Sequence, residues 1–155
     1  MTSASDPTLL RLAGIGVPPY SARGLKQTLT PIDAAAIMKR TINGVLVDLS
    51  ASQFRKFQST ISGSDVAPPA VDGIWPGHTV EVDCISRISA LDPGSTESNT
   101  EADDNLARTP VPGSVVREGG FITYRPRITF LVTAWSMDED EWEAGVGWTL
   151  TLEEV

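Results

Sequence analysis

Cys84 and His78 are the single cysteine and the single histidine of the chain, and a thiol–imidazole dyad is the first chemistry they suggest. Such a pair needs nucleophile and base within hydrogen-bond reach. Val80, Val82 and Cys84 alternate with Thr79, Glu81 and Asp83. That pattern puts the thiol on the apolar face of a half-buried strand, where a free cysteine acts as a small hydrophobe. His78 instead falls in the turn Trp75-Pro76-Gly77-His78, at the strand entrance. No dyad is expected. One cysteine also excludes an internal disulfide framework, and one histidine excludes a zinc site built from several Cys and His ligands.

Carboxylates are the other reactive resource. Asp138, Glu139, Asp140, Glu141 and Glu143 surround Trp142. An EF-hand alternates its oxygen ligands around a central glycine, and this contiguous run does not, so only an opportunistic cation site is left open. Glu81, Asp83 and the acidic stretches offer pairs for glycoside hydrolysis, but that chemistry depends on a separation across a bound sugar that sequence does not show. Gly14-Ile15-Gly16-Val17-Pro18-Pro19 lacks the third glycine of a dinucleotide fingerprint, and its prolines forbid the helix that must follow. No catalytic residue, metal or cofactor is expected, and a small enzyme such as a hydrolase is the least favoured reading.

The four tryptophans divide by position. Trp148 alternates with apolar neighbours and reads as core, Trp135 falls on the face opposite Ile128 and Phe130, and Trp142 sits among acids. Exposed tryptophans often anchor interfaces, and Trp142 is the preferred contact residue.

These residues need a frame. The chain has 155 residues, 41% hydrophobic and 21% charged, which suits one domain with a real core and argues against wholesale disorder. Its longest apolar runs are far shorter than the ~20 residues of a spanning helix, so no membrane span is expected. Met1–Asp6 shows no basic region feeding an apolar run, so no secretory signal is expected.

Residues 1–29 read as an extended N-terminal arm whose Leu9, Leu10, Leu12, Ile15, Val17 and Tyr20 must bury on the chain's own body or on an adjacent subunit. Thr30-Pro31-Ile32-Asp33 reads as a helix start, with a Thr cap, Pro at the first helical position and an acid in the first turn. Ala34 to Met38 continue it and Lys39-Arg40 suit its end, giving one short helix. Asn43-Gly44 between β-branched residues predicts a two-residue hairpin turn. Ser50–Gln53 fits a capping box, but Phe57, Ser59 and Ile61 fit one face of a strand better. Residues 63–78 form a turn-rich connection, the Val80 strand runs on to about Ile88, and residues 90–114 form a long acidic loop. Ile128, Phe130, Val132 and Ala134 line one face of a strand. Val146, Trp148, Leu150 and Leu152 line another, and Asp138–Glu143 tips the hairpin between them. The sum is a mainly β protein, an antiparallel β-sandwich or barrel over residues 30–155 with one short helix.

Charge is segregated. Residues 1–62 carry seven Lys or Arg against three Asp or Glu, whereas residues 63–155 carry five against seventeen, for a net of −8. A near-neutral body with acidic loops argues against sequence-specific nucleic-acid binding. Acidic runs are commonly solvated loops. They also suit a head-to-tail contact in which the basic part of one copy meets the acidic loops of a neighbour.

Several segments resemble a family. Pro19-Tyr20-Ser21-Ala22-Arg23-Gly24-Leu25-Lys26 runs on towards Arg40-Thr41-Ile42-Asn43-Gly44, and Phe54-Arg55-Lys56-Phe57, Ile61-Ser62-Gly63-Ser64-Asp65, Trp75-Pro76-Gly77 and Val80-Glu81-Val82-Asp83-Cys84 follow. Tyr124-Arg125-Pro126 and Trp148-Thr149-Leu150-Thr151-Leu152-Glu153-Glu154 close the pattern. This is similar to small structural proteins of tailed bacteriophages, over most of the chain outside residues 90–114. The resemblance implies a virion location and a ring-forming tail component, of tube or tail-tip (baseplate) type, in contact with neighbouring tail proteins. The expected homo-oligomer contacts are Leu9, Leu10, Leu12, Tyr20, Arg23 and Lys26 on the arm, with Asp138, Asp140, Glu141 and Trp142 at the tip. A capsid decoration protein or an adhesin-like glycan-binding module, using Trp135 and Trp142 as a platform, is the alternative.

Overall fold

The computed structural model describes residues 10–13, 24–32, 37–51, 53, 55–91 and 106–155. Their strands are β1 (Arg11–Leu12), β2 (Lys26–Pro31), β3 (Met38–Arg40), β4 (Leu46–Asp48), β5 (Phe57–Asp65) and β6 (Thr79–Asp83). After these come β7 (Ile88–Leu91), β8 (Thr109–Pro110), β9 (Val116–Glu118), β10 (Phe121–Tyr124), β11 (Pro126–Glu139) and β12 (Val146–Glu154). All pairings are antiparallel. The main sheet runs β1-β6-β11-β12-β5-β2 with β8 joined to β11; β7-β10-β9 form a second sheet and β3-β4 a separate hairpin.

Alternation puts one face of the main sheet in the core. Val80 and Val82, Ile128, Phe130 and Val132, Trp148, Leu150 and Leu152, and Ser59 and Ile61 are buried on successive strands. Burying each large apolar side chain is worth ~1.5–3 kcal/mol before chain entropy is charged against it. The expected strand faces over residues 57–61, 80–84 and 146–152 are present. So is the long hairpin, whose acidic connection runs from Asp140 to Gly145.

One antiparallel ribbon builds both sheets. β6 pairs with β11, and their continuations β7 and β10 pair again beyond Cys84–Arg87 and Arg125. Two sheets that share strands in this way meet at a corner. The corner is tied by the Cys84 N–H to the Pro126 carbonyl at 3.1 Å and the Val111 N–H to the Arg125 carbonyl at 2.8 Å. The strand expected to continue to Ile88 is therefore two strands.

Gln27 closes the other side. It faces inward opposite Ile61, and its Oε1 accepts the backbone N–H groups of Ile85 at 2.7 Å and Ser86 at 3.3 Å. Its Nε2 donates to the buried Ser59 hydroxyl at 3.0 Å. β2, at one end of the strand order, thus reaches the segment that follows β6 near the other end. The sheet curls over its own core, with Leu25, Leu29 and Ile85 packed against it.

Of the two places left open for the apolar residues of the arm, the described ones take the chain's own body: Leu10 and Leu12 are only 3% and 5% exposed in the core, β1 pairs with β6, and β2 pairs with β5. The expected helix is corrected. Thr30 and Pro31 end a strand instead of starting a helix, and Met38–Arg40 is also a strand; no α-helix occurs among the described residues. The Thr-Pro capping signal is local, and the ladder to β5 outweighs it. Pro31 costs that ladder little, because β2 is an edge strand. Within the 90–114 segment, Thr109–Pro110 pairs with β11 and Val111 is buried.

Two turn and register details also differ. Thr41 N–H bonds to the Val45 carbonyl and Gly44 N–H to the Thr41 carbonyl, with Gly44 at φ 79°. This is a three-residue loop with a left-handed glycine; Asn43 keeps a negative φ. The two-residue turn with positive φ at both positions is Gly119-Gly120, between β9 and β10. In β11 the register to β12 jumps between Val132 and Ala134, leaving Thr133 as a bulge. The extra residue reverses the face. Ala134 turns out to solvent, and Trp135, opposite Leu150, moves to the face of the core strands that the sequence assigns away from it, at a margin where it stays partly exposed.

Candidate interaction surfaces

The groups that suggested catalysis are placed apart or already engaged. His78 precedes β6 and Cys84 follows it, at opposite ends of a five-residue strand. At ~3.3 Å per residue the two side chains cannot meet. Cys84 is fully buried, and burial pushes its thiol pKa from 9.0 up to about 11, which makes it a poor nucleophile. Asp83 is held by Arg127 through Nε–Oδ1 at 2.6 Å and Nη2–Oδ2 at 3.1 Å. That bond raises the Arg127 pKa further and commits the carboxylate to the sheet. Glu81 lies 3.7 Å from the same guanidinium. Among the described residues no three His, Cys, Asp or Glu side chains are grouped to hold a metal ion.

The acidic end of the β11–β12 hairpin is the first exposed feature. Asp138, Glu139, Asp140, Glu141 and Glu143 are all exposed, and Trp142 is 91% exposed. The Trp142 N–H donates to Asp140 Oδ1 at 2.9 Å, which shapes the turn and presents the indole outward. Trp135 behaves differently. Its Nε1 donates to the Ile74 carbonyl at 2.7 Å, so it is fastened to the turn-rich connection while 38% of the residue stays exposed.

A second feature was half expected: Asn43-Gly44 predicts its turn, but residues 30–40 read as a helix. The β3–β4 hairpin exposes Ile37, Met38, Ile42, Val45, Leu46 and Leu49. Met38, Arg40, Leu46 and Asp48 share one face, and Lys39 and Val47 share the other. Among the described strands, β3 and β4 pack appreciably only on each other. A lone two-stranded hairpin is marginal in water. The Arg40 Nη1 bond to the Gly44 carbonyl at 3.0 Å and an Asp48 carboxylate that accepts from the Ser50 N–H and hydroxyl support its ends. Asn43-Gly44 marked the turn, and the helix reading of residues 30–40 hid the strand before it.

A third feature lies on the outer face of the main sheet. Opposed residues Lys26, Ser62, Thr149 and Ser136 form one row across β2, β5, β12 and β11, and Ser64, Gly147 and Asp138 form the next. Their short side chains leave an open trough of about 400 Å³ with Lys26 at one end and Asp138 at the other.

Of the residues expected to make contacts, Lys26 and Asp138 are thus brought together on one trough, and Asp140, Glu141 and Trp142 stand beside it at the tip. Leu10 and Leu12 are used inside the chain and are unavailable to a neighbour. Leu9, Tyr20 and Arg23 lie outside the described residues. Comparison of the chain with protein-family models, with curated protein sequences and with solved structures returns no match.

Proposed function

We propose that the chain is a structural virion protein of a tailed bacteriophage, a ring-forming tail component that self-assembles. The observation that carries this reading is the β3–β4 hairpin, which exposes apolar side chains and, among the described strands, packs appreciably only on itself. Contiguous exposed apolar surface of this kind marks association sites. Segregated charge supports a contact between unlike surfaces, which closes into rings or runs on as filaments. The sequence resemblance supplies the virion setting, and an acidic exposed surface would let DNA pass without binding it.

Size-exclusion chromatography with light scattering, joined to labelling of purified particles, tests the proposal. Concentration-dependent oligomers and a tail-located label are expected. A chain that stays monomeric at high concentration and is absent from particles contradicts it.

A further inference from the structure

We infer that the β3–β4 hairpin of one copy docks on the acidic β11–β12 end and adjoining trough of the next copy. The inference rests on the self-assembly reading above and adds the identity of the two surfaces. The hairpin carries apolar side chains on both faces: Met38 and Leu46 on one, Val47 with the flanking pair Ile37 and Leu49 on the other. A ribbon apolar on both faces is suited to lying between surfaces, not on one. Each face also carries one cation, Arg40 on the first, where Asp48 is already engaged by Ser50 and Arg55, and Lys39 on the second. An occupant must therefore offer apolar contact together with negative charge.

The chain contains such a surface. Trp142 supplies a large exposed apolar group within a turn of Asp140, Glu141 and Glu143, with Asp138 and Glu139 leading into it. Among the described residues, Asp138, Glu139, Glu141 and Glu143 form no ion pair, and neither do Lys39 and Arg40. The opposite charges are left unmatched within one copy, and they match between two. The trough beside the tip adds room, since its floor of Ser62, Ser64, Gly147 and Thr149 lets a backbone approach closely. Giving and receiving surfaces differ, so each copy uses both and the contact propagates head to tail. Exposed charges of this kind speed encounter and are screened by salt.

Reciprocal charge reversal tests the docking. Lys39→Glu with Arg40→Glu, and Glu141→Lys with Glu143→Lys, alter exposed groups, and circular dichroism checks that both variants keep the wild-type β spectrum. Light scattering then follows assembly of each variant alone and of an equimolar mixture. Each alone is expected to associate at least tenfold more weakly than wild type, and the mixture is expected to recover assembly, because reversed hairpins meet reversed tips and native hairpins meet native tips. Loss in the hairpin variant with wild-type assembly in the tip variant overturns this docking while leaving self-assembly intact. Loss in both without recovery on mixing overturns it as well. Monomeric wild type overturns both readings, and a monomer that sediments with anionic phospholipid vesicles through the hairpin reassigns that surface to a membrane.

Discussion

The Gln27 side-chain carbonyl accepts the backbone N–H of Ile85 at 2.7 Å, linking the edge strand β2 to the segment that leaves β6. The two residues lie 58 positions apart, and the bond joins regions near opposite ends of the strand order. Replacing Gln27 with Met keeps the volume and removes every polar partner, stranding the N–H groups of Ile85 and Ser86 and the hydroxyl of Ser59. An unsatisfied buried group costs ~1–3 kcal/mol. A loss of about 2–4 kcal/mol is expected on that scale, read as a lower midpoint in urea unfolding.

Gly63 faces Trp148 across β5 and β12. A Cβ there would lie 2.9 Å from the indole and 2.9 Å from Leu25 Cδ2. Gly63→Ala should destabilise by about 1–3 kcal/mol through overpacking. Gly147→Ala is the control, since its Cβ would come no closer than 3.9 Å to the Asp138 carbonyl; it should stay within about 0.5 kcal/mol of wild type.

Trp135→Phe keeps a smaller aromatic ring and deletes the donor to Ile74. About 1 kcal/mol should be lost, the usual value for one hydrogen bond. Trp142→Phe makes no comparable change in monomer stability, because the Trp142 side chain is almost fully exposed. Thermal unfolding of the two variants in parallel distinguishes the fastened indole from the free one.

Cys84 makes stability fall at alkaline pH. Below pH 9 the thiol is neutral in folded and unfolded chains and its contribution is complete. Between 9 and 11 the unfolded chain gives up its proton first, because burial raises the folded value. Up to about 2–3 kcal/mol is then withdrawn, at ~1.4 kcal/mol per pKa unit. Cys84→Ala should flatten this part of the stability profile. Native protein should also resist thiol reagents at neutral pH and react once unfolded.

Alternation by itself was enough to determine that the chain is β-rich and which residues of Val80–Cys84, Ile128–Val132 and Val146–Leu152 turn inward, because a strand has period two and one wet face. It also determined the long hairpin and its acidic tip, where charge cannot be buried. The tertiary structure alone decided the rest. Thr133 shows no glycine or proline to announce a bulge, yet pairing with β12 makes it one and reverses Trp135. Thr30-Pro31 carries a sound local helix signal, and the ladder to β5 overrides it. Gln27 looks like an ordinary polar edge residue until the curling sheet brings Ile85 and Ser86 to it. In each case the deciding partner lies far along the chain, and local preferences of a few tenths of a kcal/mol to about 1 kcal/mol yield to a shared ladder and a closed core.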